Sequence, residues 1–324
     1  MSFKSTTIKV LKITGSSLAG ILLLLFLAPI LFPGTIEQKI KTLANNSING
    51  EMNFSKTRLS FFNHFPSLTL TLHNFTLKGS SPYKEDTLVQ ANEISLGINL
   101  ASLVFNKHIK INKIFIYNAV IKVLVNKKGE ANYNVYIPAK KNAAANNSDT
   151  SATALKLEKI IIDKSHFIYN DLSTDILIDA KGFNYTGNGD LSKAVFDLKS
   201  HAKIDSLDFY FDKQSYLLNK KVNADLITRI NTNSFAFFFQ KNDLLINKLP
   251  VQFSGNLDFL ENGYEMDLKV SAEKSDLDNL ITALPPQFIG WQQKATIKGN
   301  TDFLLTLKGK YIHPPTPCPT WLLT

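Results

Sequence analysis

Apolar residues alternate with polar ones over much of this chain, and that period of two limits the possible folds more than any other feature. Side chains two residues apart share one face of a β-strand. The first two alternating segments contain Leu68, Leu70, Leu72, Ile94, Leu96 and Ile98. Similar segments lie around 109–117, 120–125, 155–169, 176–185, 195–204, 222–230, 244–259, 264–270 and 297–307. This density of strands predicts a mainly β fold built on an elongated antiparallel sheet.

A short pattern, apolar-x-apolar-x-x-apolar-x-apolar, occurs three times. Its copies are Leu70, Leu72, Phe75 and Leu77; Ile109, Ile111, Ile114 and Ile116; and Leu155, Leu157, Ile160 and Ile162. The doubled spacer would turn the apolar face over unless a β-bulge absorbs the extra residue, so the pattern predicts bulges that curl the strands. Repetition favours an elongated stack, although an Ile- and Leu-rich chain could produce the pattern by chance.

Few helices are available to cover such a sheet. Ile36, Ile40, Leu43 and Ala44 recur at helical spacing and predict a short amphipathic helix. A second helix is predicted over 276–284, capped by Ser275 and stopped by Pro285 and Pro286. Two short helices cannot cover a dozen strands. The apolar face must therefore meet a second sheet, fold on itself or contact an apolar partner that is not protein.

The N-terminal segment predicts a membrane anchor. Residues 13–32 carry no formal charge, and twenty helical residues span roughly 30 Å, the thickness of bilayer hydrocarbon. Lys4, Lys9 and Lys12 precede this run. Basic residues stay on the cytoplasmic side, so we expect a cytoplasmic segment 1–12, a transmembrane anchor 13–33 and a periplasmic remainder. A cleavable signal peptide is the alternative, but the run ends without an A-x-A site.

Charge and cysteine usage exclude several classes of function. The formal net charge is +9, and its excess lies in the N-terminal lysines and in Lys107, Lys110, Lys113, Lys122, Lys127 and Lys128. Arg58 and Arg229 are the only arginines, whereas base recognition relies on arginine. The sequence therefore predicts no nucleic-acid partner and indicates an anionic membrane surface instead. A single cysteine, Cys318, excludes an internal disulfide framework.

Motifs that carry chemistry are missing from the sequence. It contains no GxSxG, HExxH, GxGxxG or Walker-type run. Its six histidines are scattered singly, without a second ligand at metal-binding spacing. The aromatic patch Phe235, Phe237, Phe238 and Phe239 is more typical of core packing than of a ligand platform. We therefore expect no enzyme activity, no metal and no cofactor.

Two segments depart from the strand pattern of the predicted β-repeat domain 34–312. Residues 138–154 are small and polar and predict a flexible surface insertion. Residues 313–324 are rich in proline, and nothing earlier in the chain prepares for them. This atypical tail indicates a truncated or frameshifted end.

The order of these features resembles the AsmA-like family of bacterial envelope proteins. The resemblance rests on the basic N-terminus and anchor, the run 65–77, the strand 94–100, the step 103–114 and the helix 275–286, which is similar to the family's xLxxLxxxLP helix. The resemblance consists of hydrophobic patterns and extends over nearly the whole chain, to about Lys310. It implies a curled β-sheet with an apolar groove, anchored in the inner membrane of a double-membrane bacterium.

That resemblance also implies a function of the bridge-like lipid transfer type. Phospholipid would move along the groove toward the outer membrane and support its biogenesis. The residues expected to line the groove are Leu68, Leu70, Leu72, Ile94, Leu96, Ile98, Ile109, Ile111, Ile114 and Ile116, while Ser95, Asn99 and Lys110 are expected to face water. The alternative is a non-enzymatic scaffold that assists outer-membrane protein assembly and has outer-membrane or periplasmic envelope proteins as partners.

Overall fold

The computed structural model describes residues 41–42, 45, 48–60, 68–98, 111–135, 157–191, 193–231, 234, 236–260, 263–288 and 298–312. The structure is mostly β: 74% of the described residues are in strands, which form one large curled sheet. Its strands are β1 Met52–Asn53, β2 Lys56–Ser60, β3 Leu68–Lys78, β4 Thr87–Ile98, β5 Ile111–Val125, β6 Lys159–Asp171, β7 Ile176–Asn188, β8 Val195–Phe211, β9 Gln214–Asn231, β10 Ala236–Ile246, β11 Leu249–Leu260, β12 Gly263–Asp276 and β13 Asn300–Ile312. The predicted mainly β, curled architecture is confirmed.

Strand order in the sheet follows chain order. Both β1 and β2 pair with β3, and each later strand pairs with the next as far as β13. The pairs are antiparallel except β5 with β6, which run parallel. A parallel pair needs a long crossover, and the connection between Val125 and Lys159 is long enough to provide one. The sheet is therefore mixed, which corrects the expectation of antiparallel pairing throughout.

Turn geometry divides the strands differently from the sequence prediction. The segment predicted as one run over 244–259 is two strands, because Asn247 adopts a positive φ of 54° in the turn between β10 and β11. Asp212 and Lys213 also have positive φ, at 48° and 61°. Two such residues form the tight turn that suits a hairpin. They extend the β8–β9 pair to Phe211 and Gln214.

Left-handed residues, rather than inserted ones, preserve the apolar face at the first doubled spacer. Asn74 has a φ of 51°, yet the register is the same before it, at His73 opposite Glu93, and after it, at Phe75 opposite Ala91. Leu72 and Phe75 belong to one buried cluster. The predicted bulge is therefore wrong at this copy. The left-handed residues inside strands include Asn74, Asn118, Lys164, Asn219 and Lys274.

The other two copies of the repeat differ from the first. On β4, Gly97 pairs with Lys113 and the next residue, Ile98, pairs with Ile111, so the register shifts at this point. The shift lies opposite the spacer of the second copy, on β5. In the third copy Leu157 precedes β6 instead of lying within it. Leu155 lies outside the described residues. Among the described residues of the three copies, a bulge of the predicted kind is found in the second.

Two buried hydrophobic clusters lie among the described residues, one toward each end of the sheet. The first contains Phe54, which lies between β1 and β2, and Leu72, Phe75, Ala91, Ile94 and Ala119 on β3 to β5. The second contains Leu249, Val251 and Ala272, against which the helix α1, Leu277–Ala283, packs through Leu280 and Ala283. A 3-10 helix, Pro286–Phe288, follows α1.

The predicted cap of α1 is wrong. Its N-cap is Asp276, which makes no side-chain capping hydrogen bond. Ser275 is instead a strand residue opposite Thr301 on β13, and its buried hydroxyl has no hydrogen-bond partner. Strand pairing up to Asp276 holds Ser275 away from the first turn of the helix.

Several predicted segments fall outside the described residues. Lys41, Thr42 and Asn45 are helical and lie at the end of the predicted amphipathic helix. Its residues Ile36, Ile40, Leu43 and Ala44, the anchor 13–33, the insertion 138–154 and the tail 313–324 lie outside the described part of the chain. Within the described part, no helix combines the length and the apolar character that crossing a membrane requires.

Candidate functional site

One side of the sheet carries an unbroken row of non-polar side chains across nine strands, β3 to β11. Directly paired residues in a sheet point to the same side. The row is Leu72, Ile94, Ile116, Ile162, Tyr185, Ala202, Ala224, Leu244 and Val251. We call this side of the sheet the apolar face.

A second row runs beside the first on the apolar face. It consists of Leu70, Leu96, Ile114, Ile160, Gly187, Ser200, Leu226, Asn242, Phe253, Val270 and Leu305. Its polar members bond to neighbouring groups. The Ser200 hydroxyl lies 2.8 Å from the Tyr185 phenol oxygen, and the Asn242 side-chain oxygen accepts the Ile227 N–H over 2.9 Å. The face therefore presents little unsatisfied polarity.

The opposite side of the same strands is largely polar. The row between the two apolar rows is Thr71, Ser95, Phe115, Ile161, Thr186, His201, Asp225, Asp243, Gln252, Ser271 and Leu304, and we call it the outer row. His201 Nδ1 lies 2.8 Å from Asp225 Oδ1 within it. The sheet is thus non-polar on one side and mostly polar on the other.

The structure brings most of the predicted groove residues together. Those on the apolar face are Leu70, Leu72, Ile94, Leu96, Ile114 and Ile116. Ile98 pairs with Leu68 on one side and with Ile111 on the other. The side chains of Leu68 and Ile98 are not described, and Ile109 lies outside the described residues. The six residues on the apolar face form one contiguous patch, whose contact with lipid stays a prediction.

The expectation that Ser95 faces water is wrong. Ser95 is 7% exposed and Thr71 is 4% exposed. Their hydroxyl oxygens lie 2.8 Å apart, which satisfies both groups away from solvent. Alternation correctly places Ser95 on the side opposite Leu96, but polarity does not make that side wet. Asn99 and Lys110 lie outside the described residues.

The first row of the apolar face is more exposed over β5 to β7 than at its two ends. Leu72 and Val251 are buried near the ends of the first row, whereas Ile116, Ile162 and Tyr185 are half-buried. Aromatic rings enlarge this middle region, where Phe183 lies 5.9 Å from both Phe167 and Tyr185, measured between ring centroids. The sequence signal for these residues was the alternation over 176–185, which was assigned to a strand but not to the groove.

A buried lysine interrupts the apolar face, and the sequence did not single it out. A third row contains Leu77, Val89, Ile121, Phe167, Ala180, Leu207 and Lys220. Lys220 is 5% exposed, and burial lowers the pKa of its ammonium group. Its Nζ donates a hydrogen bond of 2.6 Å to the carbonyl oxygen of Thr282 in α1. In the sequence, the pair Lys220-Lys221 is typical of a solvated turn. Only the strand register shows that Lys220 lies on the apolar face.

The aromatic patch on β10 is divided between the two sides of the sheet. Phe237 and Phe239 are half-buried, and Phe238 between them is exposed. Phe239 lies 4.6 Å from Phe253 between ring centroids, so part of the patch adds to the apolar face. Phe235 lies outside the described residues. Among the described residues, no group of three or more His, Cys, Asp or Glu side chains is placed to hold a metal ion.

Comparison with known proteins agrees with this architecture. The model of the AsmA family matches residues 8–233 of the 324, which is more than half of the chain. No curated protein matches the chain. On the strength of the family match, with the curled one-sided sheet in accord, this chain belongs to the AsmA family, a membership that fits a cell-envelope protein of the lipid-transfer type.

Proposed function

We propose that this protein carries phospholipid along the apolar face, from the inner membrane toward the outer membrane, without catalysing a reaction. The observation that supports this most is the non-polar row from Leu72 to Val251, backed by a mostly polar outer row. If such an apolar face had no binding partner, it would make a water-soluble protein prone to aggregation. Acyl chains are a partner of matching chemistry.

The physical requirements of passive carriage are modest. Burying one methylene group is worth about 0.8 kcal/mol, so a few methylenes hold a chain without any polar specificity. Nine strands at a spacing of about 4.8 Å extend the first row over roughly 40 Å. Acyl chains would slide along this row while the head groups stay in water at the open side. No side chain needs to act as an acid, base or nucleophile.

The N-terminal segment supplies the proposed location. A helix over 13–33 would anchor the chain in the inner membrane, with Lys4, Lys9 and Lys12 in the cytoplasm. The sheet would then lie in the periplasm, next to its lipid source. Partners on the far side would be outer-membrane or periplasmic envelope proteins.

Site-specific photo-crosslinking in cells tests the proposal. A photoreactive residue at Leu96 or Ile111 should form adducts with phospholipid, and one at Asp225 or His201 in the outer row should not. Leu96→Asp should reduce lipid capture sharply, because a carboxylate in the acyl path is costly to desolvate. Adducts that contain only protein at both Leu96 and Ile111 would refute lipid carriage.

Scaffolding of outer-membrane protein assembly is the second candidate, and the edge strand β13 favours it. Leu304 is 62% exposed, and Leu305 and Leu307 are also exposed. In the described sheet β13 pairs with β12 on one side only. An exposed apolar edge can accept a strand from another protein. Protein adducts at Leu304 together with an absence of lipid adducts at Leu96 would favour this reading over carriage.

A further inference from the structure

The helix α1 lies on the same apolar face that we propose for lipid. Its Leu280 and Ala283 pack against Leu249, Val251 and Ala272. Val251 is the last member of the first apolar row, and Leu244 beside it also contacts this cluster. The side chains of α1 therefore cover this end of the apolar face, in the way that acyl chains would cover the part nearer β3.

Polar contacts at both ends hold α1 in place. At its start, the Leu277 N–H donates to the Gly299 carbonyl over 2.9 Å. Near its end, the Thr282 carbonyl accepts both the Lys220 ammonium, at 2.6 Å, and the Asn247 side-chain amide, at 2.8 Å. Carbonyls in the last turn of a helix lack intrahelical donors, and a cation there also suits the helix dipole.

Little in α1 itself favours the helical state. It has seven residues, no side-chain N-cap bond and no buried residue. Isolated helices of this length are unstable in water. Its position thus depends on the sheet, through a small apolar contact and the bonds from Lys220 and Asn247. The strand pairs of β12 with β13 from Ala272 to Gly263 involve no residue of α1.

We propose that α1 is a displaceable cover that closes the apolar face over β10 to β12, and that Lys220 is the positioning residue that holds it closed. With α1 seated, the lipid path along the first row ends before Val251. When α1 leaves, Leu244, Val251 and Ala272 become the continuation of the path toward β13. The lipid part of this inference rests on the proposed function, whereas the cover itself is a property of the fold.

Thiol accessibility tests the cover without lipid. The full chain in detergent carries Cys318→Ser and Val251→Cys, and its rate of reaction with a maleimide is measured. Lys220→Met should raise that rate about tenfold or more, because a hydrogen bond to a charged group is worth at least such a factor. Lys221→Met is the matched control, since Lys221 is exposed and alternates to the other side. An equal rate in the two variants would overturn the cover.

A second variant keeps the test decisive if Lys220→Met does not fold, as judged by circular dichroism. Asn247→Gly removes the other donor to Thr282, and glycine accepts the positive φ of 54° at this position. It should also raise the labelling rate of Val251→Cys above that of the parent. A rate equal to the parent's would refute the cover as well.

A lipid probe then separates the cover from the proposed function. A phosphatidylethanolamine with a diazirine in one acyl chain is photolysed on the full chain, and labelled peptides are identified by mass spectrometry. We expect label on the Tyr185 peptide in every variant, and on the Val251 peptide in Lys220→Met and Asn247→Gly but not in the parent. Label at Val251 in the parent overturns the cover. Label at neither peptide in any variant refutes lipid carriage, while the thiol rates still decide the cover.

Discussion

The phenol oxygen of Tyr185 and the hydroxyl oxygen of Ser200 lie 2.8 Å apart on the apolar face, joining β7 to β8. This bond satisfies the polar end of Tyr185, and burial raises the pKa of the phenol. The ring is therefore left as non-polar surface, stacked on Phe183. Tyr185 therefore contributes its ring to the non-polar surface of the apolar face.

Two substitutions at Tyr185 should separate stability from lipid binding. Tyr185→Phe removes the bond to Ser200 and should lower the free energy of unfolding by about 0.5–1.5 kcal/mol, with lipid labelling retained. Tyr185→Asp places a charge in the acyl path and should abolish labelling of that peptide. Urea unfolding and photolabelling measure the two effects. Loss of labelling in Tyr185→Phe would mean that the hydroxyl, not the ring, matters for lipid.

The buried hydroxyl pair Thr71 and Ser95 should behave as a coupled unit. Ser95→Ala leaves the Thr71 hydroxyl without its partner and should cost about 1–3 kcal/mol of unfolding free energy. The double variant Thr71→Val with Ser95→Ala replaces both groups and should cost less than the sum of the single changes. A double-mutant cycle by urea unfolding measures the coupling. If each single substitution costs almost no unfolding free energy and the two effects simply add, Ser95 is in contact with water after all.

Asn118 should tolerate glycine and reject a β-branched residue. Its φ of 50° lies in the left-handed region, where most side chains cost about 1–2 kcal/mol. Asn118→Val should lower the unfolding free energy by at least that amount, and Asn118→Gly should change it little. Thermal or urea unfolding provides the measurement. The same contrast at Val120, which has no positive φ, should reverse, because there glycine is the destabilising residue.

Stability should fall as the pH rises above the ordinary phenol pKa of 10.0. Burial, with Asp171 nearby, raises the pKa of Tyr169 in the folded state. The unfolded phenol then loses its proton first, so the contribution of Tyr169 is complete below pH 10.0 and is lost above it. Tyr169→Phe should flatten the decline in unfolding free energy. The lowered pKa of Lys220 affects stability with the opposite sign. The quantity to compare is therefore the difference in unfolding free energy between the parent and Tyr169→Phe at each pH. Identical slopes of unfolding free energy against pH in the two proteins would contradict the prediction.

The orientation of the chain in the membrane has a direct test. A reporter that is active only in the periplasm, fused after Asn142, should be active because the preceding anchor would have a cytoplasmic N-terminus. A fusion before the anchor, at Lys12, should be silent. The reverse pattern would overturn both the orientation and the proposed lipid carriage.

Alternation along the strands was enough to predict the class of fold and the part of the apolar face that lies on β3 to β5. Each of Leu70, Leu72, Ile94, Leu96, Ile114 and Ile116 lies on the apolar face because side-chain direction in a strand has a period of two. The same rule failed for Ser95, since alternation tells which side a residue occupies but not whether that side is covered. It also failed at the first repeat, where a left-handed Asn74 does what a bulge was expected to do.

The one-sided, strand-rich character of the chain can be predicted from the sequence, because that character is local and periodic. The relationships between distant residues come from the tertiary structure. The register aligns Leu72 with Val251 in a single row across nine strands. It also places Lys220 beneath Thr282, sixty-two residues away in the chain. Strand pairing and burial set these relationships, and no local pattern encodes which distant strand a residue will meet.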